Sequence, residues 1–126
     1  MNFINQVKTP IHRTIYKTDV ELFQMMLNEQ KSNLKYYIDN RQLVMVAIGI
    51  LNRTFNLEDY LVAVVGQNWR FRKGVKVGET ISVDYQICEN NTLTKKSCIY
   101  DIHIEVLADD HPVAEGIWSI MLNSKL

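Results

Sequence analysis

The sequence is poor in the residues that build special sites. Its two cysteines, Cys88 and Cys98, form no CxxC pair, and its three histidines are scattered without metal-ligand spacing. A disulfide framework and a zinc centre are therefore not expected, and no metal site is assigned. Both cysteines fall in strand-like segments and read as buried or half-buried thiols of a reducing compartment. Two prolines and five glycines are too few and too dispersed for a linker, a repeat or a low-complexity tract. No charge predominates, because 14 Lys+Arg cancel 14 Asp+Glu. The electrostatic footprint of a general nucleic-acid binder is thus missing, and the weak colloidal repulsion suits a chain that self-associates. No apolar run reaches the roughly 20 residues of a membrane span. The opening MNFINQVKTPIHRTIY lacks the apolar core of a secretory signal. The expected location is cytoplasmic, and the sequons at Asn52 and Asn90 read as accidental.

What is present is ordinary globular material, with 47% hydrophobic and 22% charged residues in 126. One domain over residues 1–126 is expected, long enough for one real core. Ile11 to Lys17 alternates and predicts a short, polar edge strand. Thr18 and Glu21 match a capping box ahead of a helix from about Asp19 to Gln30. On it Val20, Phe23 and Leu27 form a stripe that Leu22 and Met26 widen. Residues 31–37 read as a loop. Asp39 or Asn40 is the N-cap of a second helix of about four turns. Its stretch Leu43 to Leu51, LVMVAIGIL, is apolar on every face and must be enclosed by other structure. Gly49 inside it costs about 1 kcal/mol relative to alanine, which predicts a close approach to the backbone.

Beyond Asp59 the pattern becomes that of strands: Tyr60 to Arg72, Ile81 to Cys88, Cys98 to Leu107 and Val113 to Leu122. Gly66 marks a bulge or bend, while Asn90-Asn91 and Asp109-Asp110-His111-Pro112 mark turns. A strand, two helices and four strands on short turns predict an α+β fold with an antiparallel sheet. A twisted sheet curled around the apolar second helix explains why that helix has no polar side. This is the hotdog architecture.

Three segments carry a family resemblance. Val46-Ala47-Ile48-Gly49-Ile50-Leu51 resembles the central-helix signature of MaoC-like dehydratases. Asn68 to Thr80, NWRFRKGVKVGET, is similar to that family's R-F-x-x-P-V-x-V-G-D-T stretch. Val113-Ala114-Glu115-Gly116 resembles its closing V-A-x-G strand. The resemblance runs in order from Ile11 to Leu122 and implies an acyl thioester as ligand. No separate cofactor is implied, since coenzyme A or an acyl carrier protein would be part of the substrate. It also implies pairing with a second hotdog chain, as homodimer or heterodimer, with no nucleic acid and no membrane as partner.

The departures are as informative. Family hydratases place an Asp and a His before the central helix. Ser32 and Tyr37 align with them, and neither is a competent base near neutral pH. Gly74 replaces the family's proline, and Ile48 replaces the histidine beside the helix glycine. Gly49 is carried over as an oxyanion donor through a backbone N–H; its structural alternative is tight packing of the sheet on the helix. Asp39 stands where hotdog thioesterases keep a base or nucleophile, though on sequence alone an N-cap accounts for it better. Tyr37 is the other proton-handling candidate, with Asn33 and Asn40 as polar neighbours. Arg70, Arg72 and Lys73, with Lys76, form the one basic cluster and are the candidates for coenzyme A phosphates or an acidic carrier protein. The expected reading is a hydratase- or dehydratase-like protein without the usual dyad. Its alternatives are a thioesterase centred on Asp39 and a non-catalytic binding or partner subunit.

Overall fold

A computed structural model describes residues 11–27, 37–55, 57, 59–92 and 98–123. Seven elements follow one another: β1 (Arg13–Thr14), α1 (Lys17–Met26), α2 (Asn40–Thr54), β2 (Leu61–Phe71), β3 (Thr80–Thr92), β4 (Cys98–Ala108) and β5 (His111–Leu122). The strands make one antiparallel sheet in the order β1-β3-β4-β5-β2. It curls around α2, as the all-apolar stretch implied. Strict alternation decides the faces. On β4, Tyr100, Ile102, Ile104 and Val106 are buried, and on β5, Trp118, Ile120 and Leu122 join them. Against this face α2 sets Leu43, Ala47, Ile50 and Leu51.

Several expectations need correction. The first strand is two residues long, because Ile15 leaves the ladder after bonding Glu79 and Gly78. Gly78 reaches Ile15 from a left-handed turn at φ 97°, open to glycine without strain. Helix α1 consequently starts earlier than Thr18. Its N-cap is Tyr16, and Asp19 rather than Glu21 reaches back, accepting from the Tyr16 N–H at 2.8 Å. Asn90-Asn91 is no turn. Both residues lie in β3 beside a register shift against β4, where ladder pairing outweighs their turn preference. The turn at Asp109-Asp110 is present, with φ values of 47° and 67°. Gly66 does sit at a bulge against β5. Met26, expected to widen the buried stripe of α1, is 77% exposed. The predicted end of α1 and the loop residues Ser32 and Asn33 lie outside the described residues.

Gly116 shows how tightly β2 and β5 fit. Trp69 lies across it, and a Cβ at this position would stand 2.5 Å from the indole. Gly116→Val is therefore expected to expel Trp69 and destabilise the fold by about 1–3 kcal/mol. Chemical denaturation and a red shift of tryptophan emission are the measurements; an unshifted emission with wild-type stability would contradict it.

Candidate functional site

The N-terminus of α2 is where the sequence placed its chemistry, and two candidates meet there. Asp39 caps the helix with extended backbone, and its Oδ1 accepts the Arg41 N–H at 2.8 Å. The Arg41 guanidinium then folds back onto the same carboxylate, donating to Oδ1 at 3.0 Å and to Oδ2 at 2.8 Å. Both carboxylate oxygens are engaged by one neighbour in a forked, charge-assisted pair. Arg41 in turn lies 6.0 Å from the ring centroid of Phe23 on α1. Sequence reasoning passed over Arg41. Its signal was a guanidinium two residues beyond a capping aspartate.

Tyr37 is held against the loop between β2 and β3. It bridges to Lys76, and the next residue, Ile38, donates to the Val75 carbonyl at 2.9 Å. The Lys76 ammonium stands 5.8 Å from the Tyr37 ring centroid. The ring also covers Gly74, where a Cβ would come within 3.0 Å of Tyr37 Cδ1. Two departures from the family pattern, tyrosine for histidine and glycine for proline, thus touch each other. A bulkier residue at 74 would displace the ring.

Gly49 belongs elsewhere. It lies inside α2, about 15 Å along the axis from Asp39 at 1.5 Å per residue. At that depth an N–H is engaged by the carbonyl four residues earlier, and the positive helix end is distant. The expected close approach is also absent among the described residues, none of which comes within 4 Å of where its Cβ would stand. Gly49 faces a groove between α1 and α2 of about 350 Å³, together with Leu22, Phe23, Met45 and Ile50. On this side α2 is not enclosed, and Met45 is 58% exposed. Gln42 ties the two helices, donating from Nε2 to the Asp19 carbonyl at 3.0 Å. Its buried Oε1 has no partner among the described residues. This residue too escaped the sequence reading. A lone amide in the first turn of an apolar helix was its signal.

Arg70 and Arg72 point to the outer face of the sheet, away from α2. Both pair with Glu115, at 3.9 and 2.9 Å. Glu115, Glu105 and Asp84 stand directly opposite one another across β5, β4 and β3. The two arginines relieve one end of a row of like charges that is costly on a sheet. Lys73 is exposed, next to the Gly74 that carries Tyr37. A hollow of about 560 Å³ on this outer face is walled by Arg70, Asp84, Glu105 and Glu115 together with Tyr85 and Ile117. His12, His103 and His111 are exposed, as expected, and no group of metal-ligating residues forms among the described residues.

The outer face carries one perturbed acid. Hydrogen bonds from Ser119 and Asn90 hold the Asp101 carboxyl below its usual range, and His103 adds a small push the same way. A depressed folded-state pKa stabilises the protein above the unfolded value, about 3.9, and that share is lost as pH falls through the folded value. Ser119→Ala is therefore expected to lose stability at neutral pH and to converge on the wild type under acid. Urea midpoints across pH 2–7 are the check; a constant gap would show that Asp101 is not the group involved.

No family model matches the chain, and no curated protein is matched. Solved structures do match. A MaoC-like dehydratase from Rhodospirillum rubrum has a TM-score of 0.78 at 7% identity, over 100% of this chain and 99% of that one. The (R)-hydratase from A. caviae involved in PHA biosynthesis has a TM-score of 0.69 at 10% identity, over 89% and 91%. The HadBC (3R-hydroxyacyl-ACP dehydratase) complex from Mycobacterium tuberculosis gives 0.70 at 16% identity, over 90% and 91%. At these identities the likeness is one of fold. The fold is the hotdog.

Proposed function

We propose that this hotdog chain is a cytoplasmic protein that binds acyl thioesters and carries no hydratase or thioesterase chemistry of its own. One observation supports this above the others: the Asp39 carboxylate is committed to structure. The Asp39 carboxylate is occupied by Arg41 and by the helix cap. The Tyr37 ring packs over Gly74 with the Lys76 ammonium 5.8 Å from its centroid, and the residue stays 39% exposed. A general base needs a lone pair within reach of a substrate proton, and the cap and Arg41 already take two acceptor sites on Oδ1 and one on Oδ2. Such a chain suits the role of a ligand-binding module or of a partner in a two-chain assembly. The HadBC complex is a hotdog neighbour of that kind.

The test is a pair of assays on the purified protein. Enoyl-coenzyme A thioesters are followed by enoyl absorbance and by free thiol in one cuvette, and acyl-coenzyme A binding is measured by calorimetry. Binding with both optical channels silent is the expected result. Loss of the enoyl signal without thiol would establish a hydratase, and thiol release that disappears in Asp39→Asn would establish the thioesterase. Absence of binding would overturn the reading altogether.

A further inference from the structure

We propose that the groove between α1 and α2 binds a medium-length aliphatic chain ending in a carboxylate. The groove is a concavity of about 350 Å³, within the size range of small-ligand sites. Leu22, Phe23, Met45, Val46 and Ile50 line it, and Leu22 and Met45 are 53% and 58% exposed. Contiguous apolar surface in a concave setting marks a binding face, and methionine adapts to an irregular chain.

Gly49 gives this an occupant-shaped reason. Glycine weakens a helix interior, and no neighbouring atom among the described residues requires its small size. Its missing side chain leaves the middle of the groove open. The charge is supplied by Arg53, which lines the same groove and has no ion-pair partner among the described residues. The other guanidinium at the groove, Arg13, is already taken by Asp19 at 2.8 Å. An uncommitted guanidinium beside an apolar trough matches a chain with one carboxylate, which it can grip with two parallel hydrogen bonds. The site stands apart from the thioester reading, since Tyr37, Asp39, Arg70, Arg72 and Lys73 do not line it.

The experiment is calorimetric titration of the full chain with sodium decanoate. One decanoate per chain is expected. Gly49→Leu fills the trough and is expected to weaken binding by about tenfold or more. Gly49→Ala is the second variant, and it fits without a clash. It is expected to raise the unfolding temperature by about 3 °C while weakening decanoate, two changes that a purely structural glycine would not combine. Arg53→Gln should weaken decanoate and leave decanol unchanged. Displacement of decanoate by decanoyl-coenzyme A would identify a thioester as the source of the chain; lack of displacement would identify the free acid. Both leave the groove as the site. Failure of decanoate to bind, equal affinity in both Gly49 variants, or decanol binding as tightly as decanoate would overturn the proposal. So would a Gly49→Leu variant that splits a dimer instead of losing ligand, because the occupant would then be a second copy.

Discussion

Replacement of Phe55 by alanine is expected to cost about 3–5 kcal/mol, the usual range for a fully buried phenylalanine. Phe55 is 0% exposed and is the first residue after α2, with its N–H bonded to the Leu51 carbonyl at 2.8 Å. Its ring meets Tyr85 of β3 edge-to-face, with centroids 4.8 Å apart and planes at 78°. That arrangement adds to the area term, and it fastens the end of α2 to the sheet. A domain of this size is stable by roughly 5–15 kcal/mol in total, so the variant stands at the margin of folding. Urea denaturation of Phe55→Ala beside Phe55→Leu gives the answer. Leucine keeps most of the volume and should lose far less. A loss below about 1 kcal/mol for alanine would mean that the site collapses freely and that Phe55 does not pin the helix.

The same region shows why much of the fold was legible. Leu43 to Leu51 has no period that separates a helix from a strand, yet Asp39 before it is a helix-starting residue, and the structure uses it as the N-cap. β4 and β5 were readable because one face of each is buried, which forces alternation at period two. What the sequence hid are features decided by contacts distant along the chain. β1 stops after two residues because its hydrogen bonds go to the β3 edge and the turn before it. Asn91 sits opposite Ile99 in the ladder, and that pairing overrides a strong local turn signal.

The site was harder to read for a related reason. Residue type suggested Asp39 and Tyr37 as proton carriers, but their availability depends on neighbours that type alone does not reveal. Arg41 closes on Asp39 because the cap turns the carboxylate back over the first turn of α2. Tyr37 fits because residue 74 is glycine, a coupling between segments 37 positions apart that no local window contains. Gly49 drew notice correctly as a costly residue, but the reason offered was a neighbour pressing on it. The groove beside it is open, and only the crossing of α1 over α2 makes that groove.

A lysine at Val64 is expected to hold the protein as a single chain in solution, where the wild type is expected to form a pair. β2 is the outermost strand beside β5, 11 residues long, with its other edge unpaired among the described residues. Val62, Val64 and Val65 on it are 55%, 47% and 47% exposed, an apolar edge of the kind that single-chain proteins blunt with charge. Val64 pairs with Ile120, whose side chain is fully buried, so it belongs to the inner face and is uncovered only because the sheet ends there. A second copy meeting it edge to edge would extend the sheet and cover these valines together, an isologous contact with twofold symmetry. The two register shifts within β2 bend the strand and fall at the valines, so contact there rests on side-chain burial as much as on ladder bonds. Lysine at position 64 places a charge at that point on both copies, where desolvation and like-charge repulsion act together. Sedimentation velocity at micromolar concentration reads the outcome. A Val64→Lys variant that still sediments as two chains moves the interface elsewhere, and a wild type that sediments as one chain removes the pairing itself.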